Sequence, residues 1–202
     1  MAAKMVDAKA SADGGATSRR VVNRDQVVRA GIDHFLQRST LDMEVLAGEM
    51  AISRATLYRV AGSHDDLLGD ILSALTEAMF AEARATRTAS GFDGVVEVSR
   101  YFGEMLRSPV LETFLHRDAE AASRILFTPA GAVHESAVRN QIEIFRETGL
   151  IDELSPGADI QHLAFLYVRM VGAFLYAEFF TGRKADFDEL VPALRSLMSA
   201  AP

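Results

Sequence analysis

A run of seven residues, Ser53–Arg59, carries the side chains in this chain that are best suited to grip a polar partner. It reads SRATLYR, so it offers two guanidinium groups and three hydroxyls, and Leu57 is its only aliphatic residue larger than alanine. A short helix with hydrogen-bond donors outside and one leucine inside is built to lie in a groove. The major groove of duplex DNA accepts such a helix, so the segment predicts a DNA contact.

The preceding residues predict two helices that hold this segment in place. Apolar residues at helical spacing indicate a first helix over about residues 24–37, with Val28, Ile32, Phe35 and Leu36 on its inner face. Asp42 is a capping residue for a second helix, whose apolar stripe is Met43, Leu46, Ala47 and Met50. Ala51-Ile52 is then the turn, and Ser53 caps the third helix. The pattern is that of a helix-turn-helix unit.

The remainder of the chain predicts helices throughout. A long fourth helix starts near Asp65, where Ser63 and two acidic residues favour a helix N-terminus. The predicted spans are Asp65–Thr88, Asp93–Arg107, Pro109–Arg117, Ala119–Phe127, Ala130–Thr148, Ala158–Thr181 and Asp186–Ser199. We therefore expect an all-α protein of about nine or ten helices. It has a disordered arm (1–20), an N-terminal three-helix domain (21–66) and a C-terminal helical bundle (67–202).

The charge of the chain is distributed unevenly. The net charge of the 202 residues is −7, yet residues 1–65 hold nine Lys/Arg and eight Asp/Glu, and the rest carries −8. Only the front of the chain is thus compatible with phosphate. The longest apolar stretches are interrupted by Arg169 and Glu178, and no signal-type run opens the chain, so we expect a cytoplasmic protein without a membrane span.

Residues for catalysis or metal binding are scarce. The chain has no cysteine, which excludes disulfides and thiolate sites. None of its five histidines stands in a metal-type pair, and there is no Gly-rich phosphate loop or Gly-x-Ser-x-Gly elbow. We therefore expect no cofactor, no metal and no enzyme activity. A helical adaptor for protein partners stays open as an alternative, as does, more remotely, a helical-bundle enzyme.

The stretch Leu46–Leu68, LAGEMAISRATLYRVAGSHDDLL, resembles the DNA-binding segment of the TetR family of one-component bacterial repressors. The likeness covers about 45 residues, and beyond them it is one of length and helix count. Within the family the chain is similar to the Qsd-type regulators of quorum-signal lactone degradation, although no single motif carries that likeness. The resemblance implies a homodimer that binds a palindromic operator in double-stranded DNA and is released by a mostly apolar small molecule.

The resemblance also assigns roles within the DNA-binding segment. Arg54 corresponds to a base-reading position and Ala55 to a contact with a thymine methyl, while Thr56 and Tyr58 correspond to phosphate contacts. The full set of implied DNA-binding residues is Thr40, Ser53, Arg54, Ala55, Thr56, Tyr58, Arg59 and His64. His64 replaces a usual lysine, Val60-Ala61 replaces a His/Tyr-Phe pair, and Ala51 stands where glycine is common.

For the C-terminal bundle the resemblance implies an effector pocket and a dimer interface built from the last two helices, Ala158–Thr181 and Asp186–Ser199. Residues 158–181 are apolar nearly all round, so we expect that helix to be buried on most sides. The candidate ligand-binding residues are Tyr101, Phe102, Met105, Phe114, Phe127, Ile142, Phe145, Phe165, Arg169, Met170 and Phe174. Arg169 could hold an internal carboxylate or a ligand. The sequence names neither the operator and regulated genes nor the effector, and it leaves repressor or activator open.

Overall fold

The described part of the chain is all-helical, as predicted. A computed structural model describes residues 22–127, 132–182 and 186–199, apart from the side chains of Phe127, Ala132, Glu178 and Phe180. The described residues form ten α-helices and one 3₁₀-helix, with no strand. They are α1 (Arg24–Arg38), α2 (Met43–Glu49), α3 (Arg54–Ala61), α4 (His64–Thr86), α5 (Gly91–Leu106), α6 (Pro109–Arg117), α7 (Ala119–Phe127), α8 (Ala132–Thr148), a 3₁₀-helix (Leu150–Glu153), α9 (Ile160–Thr181) and α10 (Phe187–Ser199). The predicted arm, with Arg19 and Arg20, lies outside the described residues.

Side-chain caps set the boundaries of the N-terminal unit. The Asp42 carboxylate accepts from the backbone N–H groups of Glu44 and Val45, which starts α2. Ser53 starts α3 by accepting from the N–H of Thr56. Each cap satisfies helix donors that would otherwise lack partners. The prediction that Leu36 lies on the inner face of α1 is wrong, since its side chain is 46% exposed. The buried face of α1 consists of Val27, Gly31, His34 and Phe35.

A buried histidine fastens α1 to α2. The backbone N–H of Asp42 donates to Nε2 of His34 at 3.2 Å, so the proton of the neutral ring sits on Nδ1. That nitrogen donates to the Glu49 carboxylate at 2.8 Å, and Glu49 also binds Arg38. His34 is thus a core residue with both nitrogens satisfied, as expected for a histidine without a chemical role.

The long helix α4 joins the N-terminal unit to the C-terminal bundle. Ser63 and Asp66 form a reciprocal capping box at its start. Its first half packs on α1, and farther along it packs on α5 and α8. Helices α9 and α10 pack on each other beyond α8, while the short α6 contacts both α1 and α9. Movement of α4 or α6 therefore reaches the N-terminal unit directly.

The expectation that the α9 helix is buried on most sides is wrong for the single chain. Only 28% of the stretch Ile160–Ala177 is buried, and Phe165 is 41% exposed. Arg169 lies on this open side, so its charge reaches the protein surface. By length and composition alone this stretch would suffice to cross a membrane, with a mean hydropathy of 1.3. A long apolar helix with a bare face requires a covering surface.

Candidate nucleic-acid interface and ligand cavity

Helix α3 presents one face to the core and the opposite face to solvent. Leu57 and Ala61 are fully buried, four residues apart, and attach the helix to the N-terminal unit. Arg54 and Arg59 are exposed and Tyr58 is 42% exposed, an unusual position for an aromatic side chain. The outward face therefore consists of the donor groups that the sequence singles out.

The N-terminus of α3 is pre-organised by hydroxyl contacts. The Oγ atoms of Ser53 and Thr56 lie 2.9 Å apart in a mutual hydrogen bond, and Ser53 also caps the helix. Ala55 lies beside them with its methyl group exposed. Because a helix N-terminus is electropositive, this end of α3 suits a phosphate oxygen as well as a base edge.

The two arginines of α3 differ in their surroundings. Nη1 of Arg54 donates to Oε2 of Glu44 on α2 at 3.2 Å, across the turn that joins the two helices. Arg59 has no ion pair with any residue that the structure describes. Arg59 is thus available to a phosphate as it stands, whereas Arg54 must leave Glu44 before it can reach a base.

Thr40 and His64 lie together at one edge of the N-terminal unit. Nε2 of His64 donates to the carbonyl of Leu41, the neighbour of Thr40, at 3.3 Å. Nδ1 of the same ring is 3.1 Å from a carboxylate oxygen of Asp65, and this contact lowers the pKa of Asp65. Both contacts are hydrogen bonds at once only when the ring is a cation. A positive His64 would attract phosphate.

A cavity lies inside the C-terminal bundle, between α4, α5, α7, α8 and α9. Its volume of ≈ 60 Å³ exceeds the roughly 10–15 Å³ that a single water requires. Phe80, Phe102 and Leu175 give it a predominantly apolar wall. The remaining lining residues are Thr76, Ser99, Leu126, Val133, His134, Ala137, Gln141, Tyr167, Val168, Arg169, Val171, Gly172 and Tyr176.

Some polar groups of the lining residues are paired with each other, and others have no partner among the described residues. The hydroxyls of Ser99 and Tyr167 bond each other at 2.8 Å, and burial raises the pKa of Tyr167. Nε2 of His134 and Nε2 of Gln141 are buried without a hydrogen-bond partner among the described residues. Burial, and then the Arg169 guanidinium, lower the pKa of His134. At neutral pH the cavity therefore holds a neutral imidazole and an amide with unused hydrogen-bonding capacity.

The structure brings only some of the predicted ligand-binding residues to this cavity. Phe102 and Arg169 line it, and Phe114 lines a smaller cavity next to it. The hydroxyl of Tyr101 donates to Glu82 at the surface, and Phe145 is buried in the core beside Tyr167. Phe165 is exposed, and the side chain of Phe127 is outside the described part. The half-buried residues that do not line either cavity are Met105, Ile142, Met170 and Phe174.

Two residues that line the cavity, His134 and Gln141, are missing from the predicted ligand-binding set. His134 has no metal-type partner in the sequence, yet it lines the cavity. Gln141 interrupts the apolar stripe of α8, since it follows Val133 and Ala137 at intervals of four residues and is 2% exposed. A polar residue in such a stripe is the pattern that could have drawn attention to the cavity.

The smaller cavity connects the bundle to the N-terminal unit. It shares Thr76, Leu126 and Tyr176 with the main cavity and is also lined by Phe114 of α6. The Phe114 ring packs edge-on against Phe35 of α1, at a centroid distance of 5.2 Å. Three residues farther along α6, Nη2 of Arg117 donates to the carbonyl of Ser39, the C-cap of α1, at 2.9 Å. Contacts thus run without a gap from the cavity wall to α1.

Comparison with known families identifies the C-terminal part of the chain. Residues 90–199 match the family model for the tetracyclin repressor-like C-terminal domain, which is more than half of the chain. A search of curated proteins finds no match.

Solved structures with the same fold cover most of the chain. The R. erythropolis transcriptional repressor QsdR, of the TetR family, superposes with a TM-score of 0.79 at 24% identity, covering 87% of this chain and 93% of QsdR. The repressor AlkX from Dietzia sp. strain DQ12-45-1b, implicated in biodegradation of n-alkanes, gives 0.60 at 19% identity, with coverages of 89% and 99%. A TetR-family regulator from Pectobacterium atrosepticum gives 0.62 at 20% identity, with coverages of 89% and 95%.

Proposed function

Because the chain belongs to the TetR family of transcriptional regulators, which are not enzymes, we propose that it is a repressor controlled by a small molecule. In this proposal residues 21–66 bind a palindromic operator in double-stranded DNA. The bundle, residues 67–202, holds the effector and joins two copies of the chain. The observation that carries the proposal is the outward face of α3, where Arg54, Tyr58 and Arg59 are exposed above a buried Leu57.

The proposed DNA-binding residues have two tasks: some bind phosphates and fix the position of α3, and others contact bases and recognise the sequence. Thr40, Thr56, Tyr58 and His64 bind phosphates, helped by the electropositive N-terminus of α3. The planar guanidinium of Arg54 bonds the O6 and N7 atoms of a guanine, and Ala55 touches a thymine methyl group. Ser53 acts indirectly, since it caps α3 and holds Thr56, while Arg59 adds phosphate contact.

A homodimer through α9 and α10 is supported by the bare face of α9. An apolar helix that is 28% buried needs a covering surface, and a second copy of the same pair of helices provides one of matching length. The exposed Arg169 in mid-helix is more compatible with such a protein interface than with lipid. A two-fold dimer would set its recognition helices about 34–36 Å apart, one turn of DNA. We place this dimer in the cytoplasm, where its operator would be.

Release from DNA is proposed to start with widening of the cavity. A volume of ≈ 60 Å³ is small beside the roughly 150 Å³ of an engineered apolar cavity that admits benzene. A larger effector must therefore push back Thr76 of α4 and Tyr176 of α9, which also wall the smaller cavity. The displacement reaches α1 through Phe114 and Arg117, so half-site spacing changes. The effect on operator affinity can be no larger than the preference of the effector for the widened form.

The test of DNA binding is fluorescence anisotropy with duplexes from the region upstream of the gene. We expect a steep fall in affinity with salt, because each phosphate contact releases counterions. Arg54→Ala should cost about 1–3 kcal/mol at one base position, and Tyr58→Phe should weaken binding to every sequence alike. A helical adaptor for protein partners would instead show little affinity for any duplex and no response to either substitution.

A further inference from the structure

We infer that the effector is an uncharged, elongated, mostly apolar molecule that carries a carbonyl group where Gln141 lies and a second polar group where His134 lies. This inference rests on the proposed function, because it takes the main cavity to be the effector site. It concerns the chemistry of that molecule, which the family match leaves open.

The two partnerless nitrogens define where the polar groups of the effector must be. Gln141 lines the cavity and is 2% exposed, and its buried amide nitrogen has no acceptor among the described residues. A buried donor without an acceptor costs free energy, which a ligand carbonyl would recover. Nε2 of His134 is likewise buried without a hydrogen-bond partner among the described residues. An imidazole nitrogen accepts or donates according to tautomer, so a hydroxyl satisfies it in either state.

The spacing of the two side chains gives the effector its length. His134 and Gln141 are seven residues apart on α8, which places them on the same face two turns apart. This separation is roughly 10 Å along the helix axis. The α8 surface between them is the methyl group of Ala137, and Phe80, Phe102 and Leu175 form other parts of the wall. A hydrocarbon chain suits that interval.

The charges around the cavity favour a neutral effector. No carboxylate lines the cavity within the described ranges, so nothing would balance an ammonium group. Burial and the Arg169 guanidinium lower the pKa of His134, which keeps the imidazole uncharged at pH 7. Arg169 itself lies at the exposed rim, above the ring of Phe165. An anionic group beside Gln141 would thus be buried without a cation next to it.

The first experiment compares four ten-carbon probes on the full chain: 2-decanone, decane, decanoate and decylamine. Thermal unfolding is followed with decane and 2-decanone at the same fraction of their solubility in water, which removes the difference in hydrophobic transfer. We expect 2-decanone to raise the unfolding temperature more than decane. Decanoate and decylamine, compared with 2-decanone at equal concentration, should raise it least. Equal shifts from decane and 2-decanone, or a larger shift from a charged probe, would overturn the inference without any variant.

The second experiment uses Gln141→Leu, which keeps the side-chain size and removes the amide. Calorimetry should show 2-decanone binding about 5- to 10-fold more weakly to this variant, as expected for one lost hydrogen bond, while the thermal shift from decane is retained or increased. The matched control is Gln37→Leu, at an exposed position of α1, which should leave both unchanged. An added terminal hydroxyl, as in 10-hydroxy-2-decanone, should tighten binding to the original chain but not to His134→Leu. If Gln141→Leu binds 2-decanone as well as the original chain does, the carbonyl assignment fails.

Operator binding is measured separately by anisotropy, so the two ideas fail independently. Binding of 2-decanone that depends on Gln141, in a protein without affinity for DNA, would refute the proposed repressor and keep the ligand chemistry. An operator-binding protein whose cavity prefers decane or decanoate would refute the ligand chemistry alone.

Discussion

The ring of Phe114 on α6 packs edge-on against Phe35 on α1, with centroids 5.2 Å apart, and both side chains are almost wholly buried. Phe35 belongs to the core that supports α3, whereas Phe114 lines the cavity next to the proposed effector site. One aromatic contact therefore joins the two functional parts of the chain. It is one route by which an event in the bundle can move the N-terminal unit.

Truncation of this contact should lower stability and uncouple the two parts. We expect Phe114→Ala to cost about 3–5 kcal/mol in urea unfolding, because it leaves a cavity where a buried ring was. In anisotropy, the operator complex of the folded variant should need more effector for release. The control is Leu36→Ala, beside Phe35 but exposed, which should change stability by less than about 0.5 kcal/mol. An unchanged effector response would show that the signal takes another route, such as α4.

A carboxylate competes with DNA for Arg54. Because Glu44 holds the Arg54 guanidinium at 3.2 Å and both side chains are largely exposed, their attraction is worth about 1 kcal/mol or less. Glu44→Gln frees the arginine and removes a negative charge near the phosphates, so operator affinity should rise by roughly 2- to 5-fold at low salt. Glu104→Gln, on α5 in the bundle, makes the same chemical change and should have no effect. Weaker binding by Glu44→Gln would mean that Glu44 orients Arg54 for DNA.

The helix-turn-helix unit was predictable because local chemistry decides its boundaries. Asp42, Ser53 and Ser63 each cap the helix that follows them, as their side chains and positions in the sequence indicated. The predicted ends of α6 and α7 match the structure, and Pro109 stands at the first turn of α6, where proline is favoured. The 3₁₀-helix Leu150–Glu153 was missed because its turn depends on packing against α5 and α8, which no local signal reports.

The cavity lining was less predictable because α9 is apolar on every side. Phe165 and Tyr167 are two positions apart and look alike in sequence, yet the first is exposed and the second fully buried. A periodic pattern cannot choose between faces when all faces are apolar. The packing of α8 and α10 decides which face of α9 meets the cavity and which face stays exposed. Only the tertiary arrangement supplies that information.

The ion pair between α4 and α8 should make stability depend on pH in the acid range. The Arg84 guanidinium forks onto the Glu147 carboxylate, and this contact lowers the Glu147 pKa below its ordinary 4.5. A carboxyl group with a depressed folded pKa stabilises the fold above its unfolded pKa, and the contribution is lost as pH falls through the folded value.

We expect Glu147→Gln to cost at most about 1 kcal/mol at pH 7, since both partners are partly exposed. The difference from the original chain should shrink steadily below pH 4.5, as urea unfolding at a series of pH values would show. Glu120→Gln removes a carboxylate that is 97% exposed and lies 3.8 Å from Arg124, so its effect should be smaller and should change less with pH. A difference that persists at the acid end would assign the loss to packing.

The turn between α2 and α3 contains an alanine in a backbone conformation that favours glycine. Ala51 has φ of +54°, in the left-handed region, where an L-residue with a Cβ atom is disfavoured by about 1–2 kcal/mol. Ala51→Gly removes that strain but adds freedom to the unfolded chain, so we expect a net gain of about 0.5–1 kcal/mol. For a protein of this size the unfolding temperature should rise by roughly 1–4 °C. The matched control is Ala78→Gly, the same change on the exposed face of α4, which should lower stability by about 1 kcal/mol. A gain of stability for Ala51→Gly together with a loss for Ala78→Gly would establish the strain in the turn. A loss of stability in both variants would show that the Ala51 side chain contributes more by packing than its backbone strain costs.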